Sequence, residues 1–270
     1  MTTRKMNLVV KALEEMGITA TITTVQKIDG EHKGLSFGTG NVKPTMYFTE
    51  EHEKMTSKEI AEWFADKYKH FPATPEVDAS AMMTREYIKS HVHAKLVPAS
   101  AYVNDKARKE FLDLVKIYYI DTSIEGGTVT LLESHLKHAG ITVDELDSWA
   151  SDDYEAKGMF ETLMELNPQM AAMLPEPEFE DQLVLSNAKK INGAAAMTDK
   201  KILELALDKL GVDSLYILPS SIHEVLAVAM GTPEELRQMV CEVNDSQVAP
   251  DERLSYNVYK YERGGELEIA

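Results

Sequence analysis

The sequence predicts an α+β fold of mixed or antiparallel sheets with helices packed on them, and three observations carry that reading. Thr56 with Glu59, Thr142 with Glu145 and Thr232 with Glu235 have capping-box spacing at the start of amphipathic runs. Short alternating apolar stretches are bounded by Gly, Pro and Asn. Residues 183–244 read as two successive strand–strand–helix units.

Met6, Val9, Val10, Leu13 and Met16 follow helical spacing, and Gly17 is a natural stop. Ile18, Ala20 and Ile22 alternate with threonines as a half-buried strand. Asp29-Gly30 signals a hairpin, with Leu35 and Phe37 on one face of the returning strand. An extended piece follows Pro44. The helix opened by Thr56 carries Ile60, Trp63, Phe64 and Tyr68 on one face.

Residues 1–75 therefore form an N-terminal helix–hairpin–helix unit. Residues 76–105 read as a connection with one short helix near 84–88. The rest, 106–270, is a C-terminal α+β domain. Its first central strand lies within 111–120 and follows a helical turn. A second strand, 128–132, follows Gly126-Gly127. An acidic helical segment, limited by Pro168, covers 144–181. Leu183 to Leu185 and Gly193 to Met197 read as short strands, before a helix capped by Thr198 and ended by Gly211. Two more strands, 215–218 and 225–229, precede a helix with proline at its first position. Leu236, Met239, Val240 and Val243 are its expected buried stripe. Residues 254–261 alternate as an edge strand.

Composition narrows the function. With 270 residues and 44% hydrophobic content the chain can bury a core. It is not collagen-like, disordered or a disulfide scaffold. A net charge of −17 argues against direct nucleic-acid binding. The charge is local: residues 144–181 hold 12 acidic residues and one basic residue, −11 of the total. No signal peptide and no membrane span is read, and the single Cys241 suits a reducing compartment, so a cytoplasmic location is expected.

Motifs with chemistry are sparse. Gly34, Gly38 and Gly40 lack the Lys-Ser or Lys-Thr pair and the helix of a phosphate loop, and read as a hairpin edge. One cysteine cannot build a zinc framework. His91 with His93 on a strand, or His135 with His138 on a helix, supplies two metal ligands without a third nearby, so they read as surface histidines and no metal or cofactor is expected. Ser221, His223 and Glu224 contain the residue types of a catalytic triad. On one strand, however, Ser221 and His223 project side by side and Glu224 points away, so a structural turn is the preferred reading. Asn187, Asn192, Asn244 and Gln247 are candidates for a polar cleft beside them. The methionines between 159 and 173 read as core filler in the first instance, with an adaptable recognition face as the alternative.

Tyr216-Ile217-Leu218-Pro219-Ser220-Ser221-Ile222-His223-Glu224-Val225-Leu226, Glu234-Glu235-Leu236-Arg237-Gln238-Met239-Val240 and Gln247-Val248-Ala249-Pro250, with Leu185-Ser186-Asn187 and Ile191-Asn192-Gly193 upstream, resemble domain of unknown function 5688. Such proteins occur in gut Firmicutes and their mobile elements. The resemblance covers most of the chain and is strongest from 183 to 261. It implies a bacterial, intracellular protein and brings no activity, cofactor or catalytic residue. Three functions are carried forward. The first is a non-enzymatic module binding an unidentified, basic protein partner through Asp144, Glu145, Asp147, Asp152, Asp153 and Glu155. The second is a mobile-element inhibitor of host defence in which such carboxylates mimic nucleic acid. The third is a hydrolase using Ser221 and His223.

Overall fold

Side chains that bond within one turn of backbone set the helix starts. Thr2 accepts the Lys5 N–H to open α1 (Thr3–Glu15), and the Thr56–Glu59 box opens α2 (Ser57–Lys69). The computed structural model describes residues 1–27, 30–39, 43–70, 78–101, 104–122, 127–150, 152–175, 181–219 and 221–270. It divides into one compact unit of residues 1–82 with 122–127, and another of 83–121 with 128–270.

In the first unit β1 (Ala20–Lys27), β2 (Gly30–Phe37) and β3 (Thr45–Tyr47) form an antiparallel sheet with β2 in the centre. Lys27 faces Gly30 in register, and Gly30 has a φ of 131° that favours glycine; Asp29 of the expected turn lies outside the described residues. Val9, Leu13, Leu35, Phe37, Ile60 and Phe64 are fully buried in one cluster. Trp63 departs from the expected face: it is exposed, and its ring lies 4.7 Å from that of His52.

The second unit carries two sheets. Between them, β4 (Val92–Pro98), β5 (Arg108–Phe111), β6 (Leu114–Asp121) and β7 (Thr128–Thr130) make the first, with β6 pairing all three others. The second runs β13 (Glu268–Ile269), β12 (Tyr259–Glu262), β10 (Ser214–Leu218), β11 (Val225–Val228), β9 (Gln182–Asn187), β8 (Tyr154–Gly158). Every pairing is antiparallel, which narrows "mixed or antiparallel" to the latter. The short α3 (Ala79–Met82) belongs to the first unit; the α-helices of the second are α4 (Arg85–His91), α5 (Glu133–Ala139), α6 (Val143–Trp149), α7 (Met159–Leu166), α8 (Pro168–Ala171), α9 (Lys200–Leu210) and α10 (Pro233–Ser246).

Several expectations are corrected. Residues 76–105 hold a full strand, β4, whose Val92, Ala94 and Leu96 are buried; Pro98 and small neighbours hid its alternation. The expected helical turn before β6 is β5, reached through Leu112 at a φ of 55°. Gly193–Thr198 is a 3-10 helix and not a strand. Its run of small apolar residues reflects burial on every side, since Ala194, Ala195, Ala196 and Met197 are all at 0% exposure. Among the described residues, one strand–strand–helix unit is formed, from β10 to α10, and not two. Asp199 caps α9, while Thr198 Oγ1 donates to Ala195 O. β12 is interior because β13 covers it.

In α10 the buried line is Leu236, Val240 and Asn244, a strict i, i+4, i+8 row, with Met239 and Val243 outside it. Leu236 and Val240 pack on Leu218 and Val258. Thr232 accepts the Glu235 N–H at 3.3 Å and donates to its carboxylate at 2.9 Å. Thr232→Ala should lower stability by about 1 kcal/mol in a denaturant melt, the usual cost of a lost N-cap.

Candidate functional site

A polar network gathers where the two sheets of the second unit meet. Antiparallel pairing places His93 of β4 opposite Tyr119 of β6, and the rings stack with centroids 5.4 Å apart. Two residues on, β6 supplies Asp121. Asp152 comes from the entry to β8, and Asn187 ends β9. The imidazole lies between two carboxylates: Nδ1 is bonded to Asp152 Oδ1, and Nε2 is 3.2 Å from Asp121 Oδ2. Lys189 Nζ donates to Asp121 Oδ2 at 2.7 Å. Asn187 Nδ2 donates to Ile191 O at 2.9 Å and to Asp152 Oδ2 at 3.4 Å.

Electrostatics follow this geometry. The bond to Asp152 lifts the His93 pKa against the opposing effect of burial. Burial pushes the Asp121 carboxyl up, yet Lys189 and His93 together outweigh it and hold the group below its ordinary value. Tyr119 is pushed up to about 12, chiefly by burial, with the neighbouring Asn192 side chain acting the other way. Asn192 thus joins the network, with its own N–H donating to His223 Nδ1 at 3.2 Å.

Of the candidates read from sequence, Asn187, Asn192, Asp152 and His223 converge here. His93, dismissed as a surface histidine, is the centre. No sequence signal found it, because Asp121 and Asp152 are 28 and 59 residues away. His91 does not share its strand; it ends α4, with Nδ1 on Tyr87 O. His135 serves α5 locally, where Nδ1 accepts the Leu132 N–H.

Ser221 and His223 do not form a nucleophile and base. Ser221 Oγ donates to Glu224 Oε1 at 2.9 Å and accepts the His223 N–H at 3.0 Å, so the segment is a turn and Glu224 curls back instead of pointing away. The His223 ring is held by the Asn192 N–H, and Nε2 lies 3.5 Å from Glu252. Asn244 is wholly buried and donates to Ser255 O at 2.9 Å, and Gln247 lies exposed against Ser246 Oγ, so neither enters a cleft with Ser221. Asp113, missed entirely, accepts from Ser255 Oγ, Asn257 Nδ2 and Tyr259 OH at 2.8, 2.9 and 2.7 Å. The one signal for it was Tyr259, an aromatic at an inward strand position whose hydroxyl needs a partner.

The acidic segment is not one helical face: it runs through α6, β8, α7 and α8. Much of its charge is spent inside the molecule. Asp144 and Asp147 hold Lys109 at 3.2 and 2.9 Å, and Asp147 also binds Lys116 at 3.0 Å and the Tyr118 hydroxyl at 2.8 Å. Glu145 pairs with Arg85 at 2.6 Å, which with the Thr142 cap lowers its pKa to about 2. Glu155 meets Lys157 at 2.9 Å. Asp153 is exposed.

The methionines here are not core. The inward residues of α7 and α8 are the small Thr162 and Ala171. Large side chains are left outside: Met164, Leu166, Met170, Met173 and Leu174 are 43, 66, 53, 85 and 47% exposed.

A model of a family of unknown function, DUF5688, matches residues 4–263. The chain belongs to DUF5688. No curated protein and no solved structure matches it. The DUF5688 match takes in the polar network, the acidic segment and the exposed apolar ridge alike. Among the described residues of this DUF5688 chain, no group of three His, Cys, Asp or Glu side chains can hold a metal ion, and no helix is long and apolar enough to cross a membrane.

Proposed function

We propose that this DUF5688 chain is a non-enzymatic protein-binding module, and that its docking surface is the ridge of α7 and α8. One observation carries the reading: five large apolar side chains within eleven residues stand in water. Isolated exposed apolar residues are ordinary, but contiguous ones mark interaction surfaces. Fully burying an exposed Met or Leu side chain is worth about 1.5–3 kcal/mol, and each of these five, 43–85% exposed, has part of that to contribute against the loss of freedom on association. Methionine suits such a surface, being unbranched and able to repack.

The partner that fits is an amphipathic helix with basic flanks. Its apolar face would lie along the ridge, and its cations would be drawn by an acidic chain carrying −17 overall, with Glu161 exposed on α7. The pairing of Asp144, Glu145, Asp147 and Glu155 with internal cations moves the basic partner's contact away from those residues. It also weighs against a nucleic-acid mimic, which needs unneutralised carboxylates in a track. Against the hydrolase stands the Ser221 hydroxyl, which donates to Glu224 and not to a histidine.

The probe is a synthetic helix of Leu and Lys at helical spacing, titrated into the full chain and followed by NMR. Perturbed amides should fall on 159–174, and binding should weaken as salt rises. Met170→Glu with Met173→Glu should raise Kd at least ~10-fold, about 1.4 kcal/mol. A Glu-for-Lys version of the peptide should not bind. Equal affinity for the double variant, or shifts elsewhere, overturns the proposal.

A further inference from the structure

We propose that His93 is a protonation latch: as an imidazolium it ties β4, β6 and the entry to β8 to the loop after β9, and loss of its proton releases that loop. This goes beyond the docking ridge and does not depend on it.

The argument begins with valence. A neutral imidazole carries one N–H and one lone pair, and only the imidazolium donates from both nitrogens. Here each nitrogen faces a carboxylate oxygen, Asp152 on one side and Asp121 on the other. Both bonds hold together only while His93 is charged. Remove the proton, and one lone pair is aimed at a carboxylate.

The Asp121 bond is the one that yields. It is the longer, at 3.2 Å, and Asp121 is 35% exposed against 9% for Asp152. Asp121 also holds Lys189, and Asp152 also accepts from Asn187, so both carboxylates lead into the loop. The loop is anchored at both ends and carries two residues with positive φ. Lys190 and Asn192 sit at φ of 54° and 58°, in the left-handed region, which asparagine tolerates and lysine disfavours. The bonds that hold it are Lys190 N–H to Asn187 O at 3.0 Å, Ile191 N–H to Asn187 Oδ1 at 3.3 Å, Asn187 Nδ2 to Ile191 O at 2.9 Å and Asn192 N–H to His223 Nδ1 at 3.2 Å, with Lys190 Nζ 3.7 Å from Glu155.

The groups around the ring act in a definite balance. From β6 come Tyr119, stacked on it, and Asp121; from the β8 entry, Asp152; from the loop, the Lys189 cation. Lys95 lies two residues along β4, its Nζ 5.8 Å from the centre of the Tyr119 ring. The two carboxylates outweigh burial and Lys189, so the folded pKa stands above the ordinary 6.5. A raised folded pKa stabilises fully below the unfolded value and ceases to do so as pH rises through the folded one. The latch is therefore closed at and below 6.5 and opens on the alkaline side.

The test uses the full chain with ¹⁵N-labelled histidine. Both His93 nitrogens should keep the imidazolium signature above pH 6.5. His135, whose pKa burial lowers, should lose its proton below that value and serves as the internal reference. Hydrogen exchange at Ile191 and Asn192, corrected for intrinsic base catalysis, should rise ~10-fold through the His93 midpoint. Asp152→Asn should move both the midpoint and the exchange transition to lower pH, which separates His93 from His223. If that variant does not fold, Asp121→Asn gives the same readout. A His93 midpoint at or below 6.5, or loop exchange that ignores it, overturns the latch.

Discussion

Gly193→Ala should destabilise the second unit by about 3 kcal/mol or more, the upper end for forcing atoms into a packed interior. A Cβ at this position would stand 2.6 Å from Asn187 N and 2.7 Å from His223 O, and would collide with Ser186 Oγ. Two of these are backbone atoms, one at the end of β9 and one before β11. Neither can retreat without shifting its strand. The third carries the Ser186 Oγ bond to His223 O at 2.8 Å, which the methyl would displace. Denaturant melts of both proteins, with unchanged m-value, measure the loss. A cost under ~1 kcal/mol would show that the Asn187 loop and the His223 turn are not in close approach.

The second large effect is Leu236→Ala, expected at ~2–5 kcal/mol for truncating a buried leucine. Leu236 is 6% exposed and packs with Leu218, Val240 and Val258. The informative comparison is Met239→Ala on the same helix. Sequence spacing placed Met239 in the same stripe, but it is 52% exposed. Its truncation should cost less than ~0.5 kcal/mol, as surface changes usually do, and Gln238→Ala should match it. Equal losses for Leu236 and Met239 would mean that α10 docks by the broader face read from its apolar residues.

These two sites also show where sequence reading stops. The α10 stripe was legible as helical but misjudged in width. Its true row ends on Asn244, a polar residue, and an apolar count cannot include it. The strand read at 193–197 failed for a related reason. A continuous apolar run reports burial on all sides and does not distinguish a strand from a 3-10 helix of small residues. The methionines of 159–173 erred the other way. Their spacing was helical, but the inward positions went to Thr162 and Ala171, so the apolar face turned to solvent.

What the sequence determined by itself is local. The capping boxes at Thr56, Thr142 and Thr232 all formed, because donor and acceptor lie within one helical turn. Gly17 and Gly211 took the positive φ that ends a helix, and strands formed at 20–27, 30–37, 183–185, 215–218 and 225–228, where short apolar stretches lie between turn residues. The polar network was decided by tertiary structure alone. Asn187 and Asn192 could be named as polar residues near one another. That they would meet His93, Tyr119, Asp121 and Asp152 depends on which strands pair and in what register. A one-residue slip of β4 on β6 would turn His93 to the opposite face. Contacts closed across 28 and 59 residues leave no periodic trace in the chain, since their geometry is fixed by the sheets between them and not by spacing along the backbone.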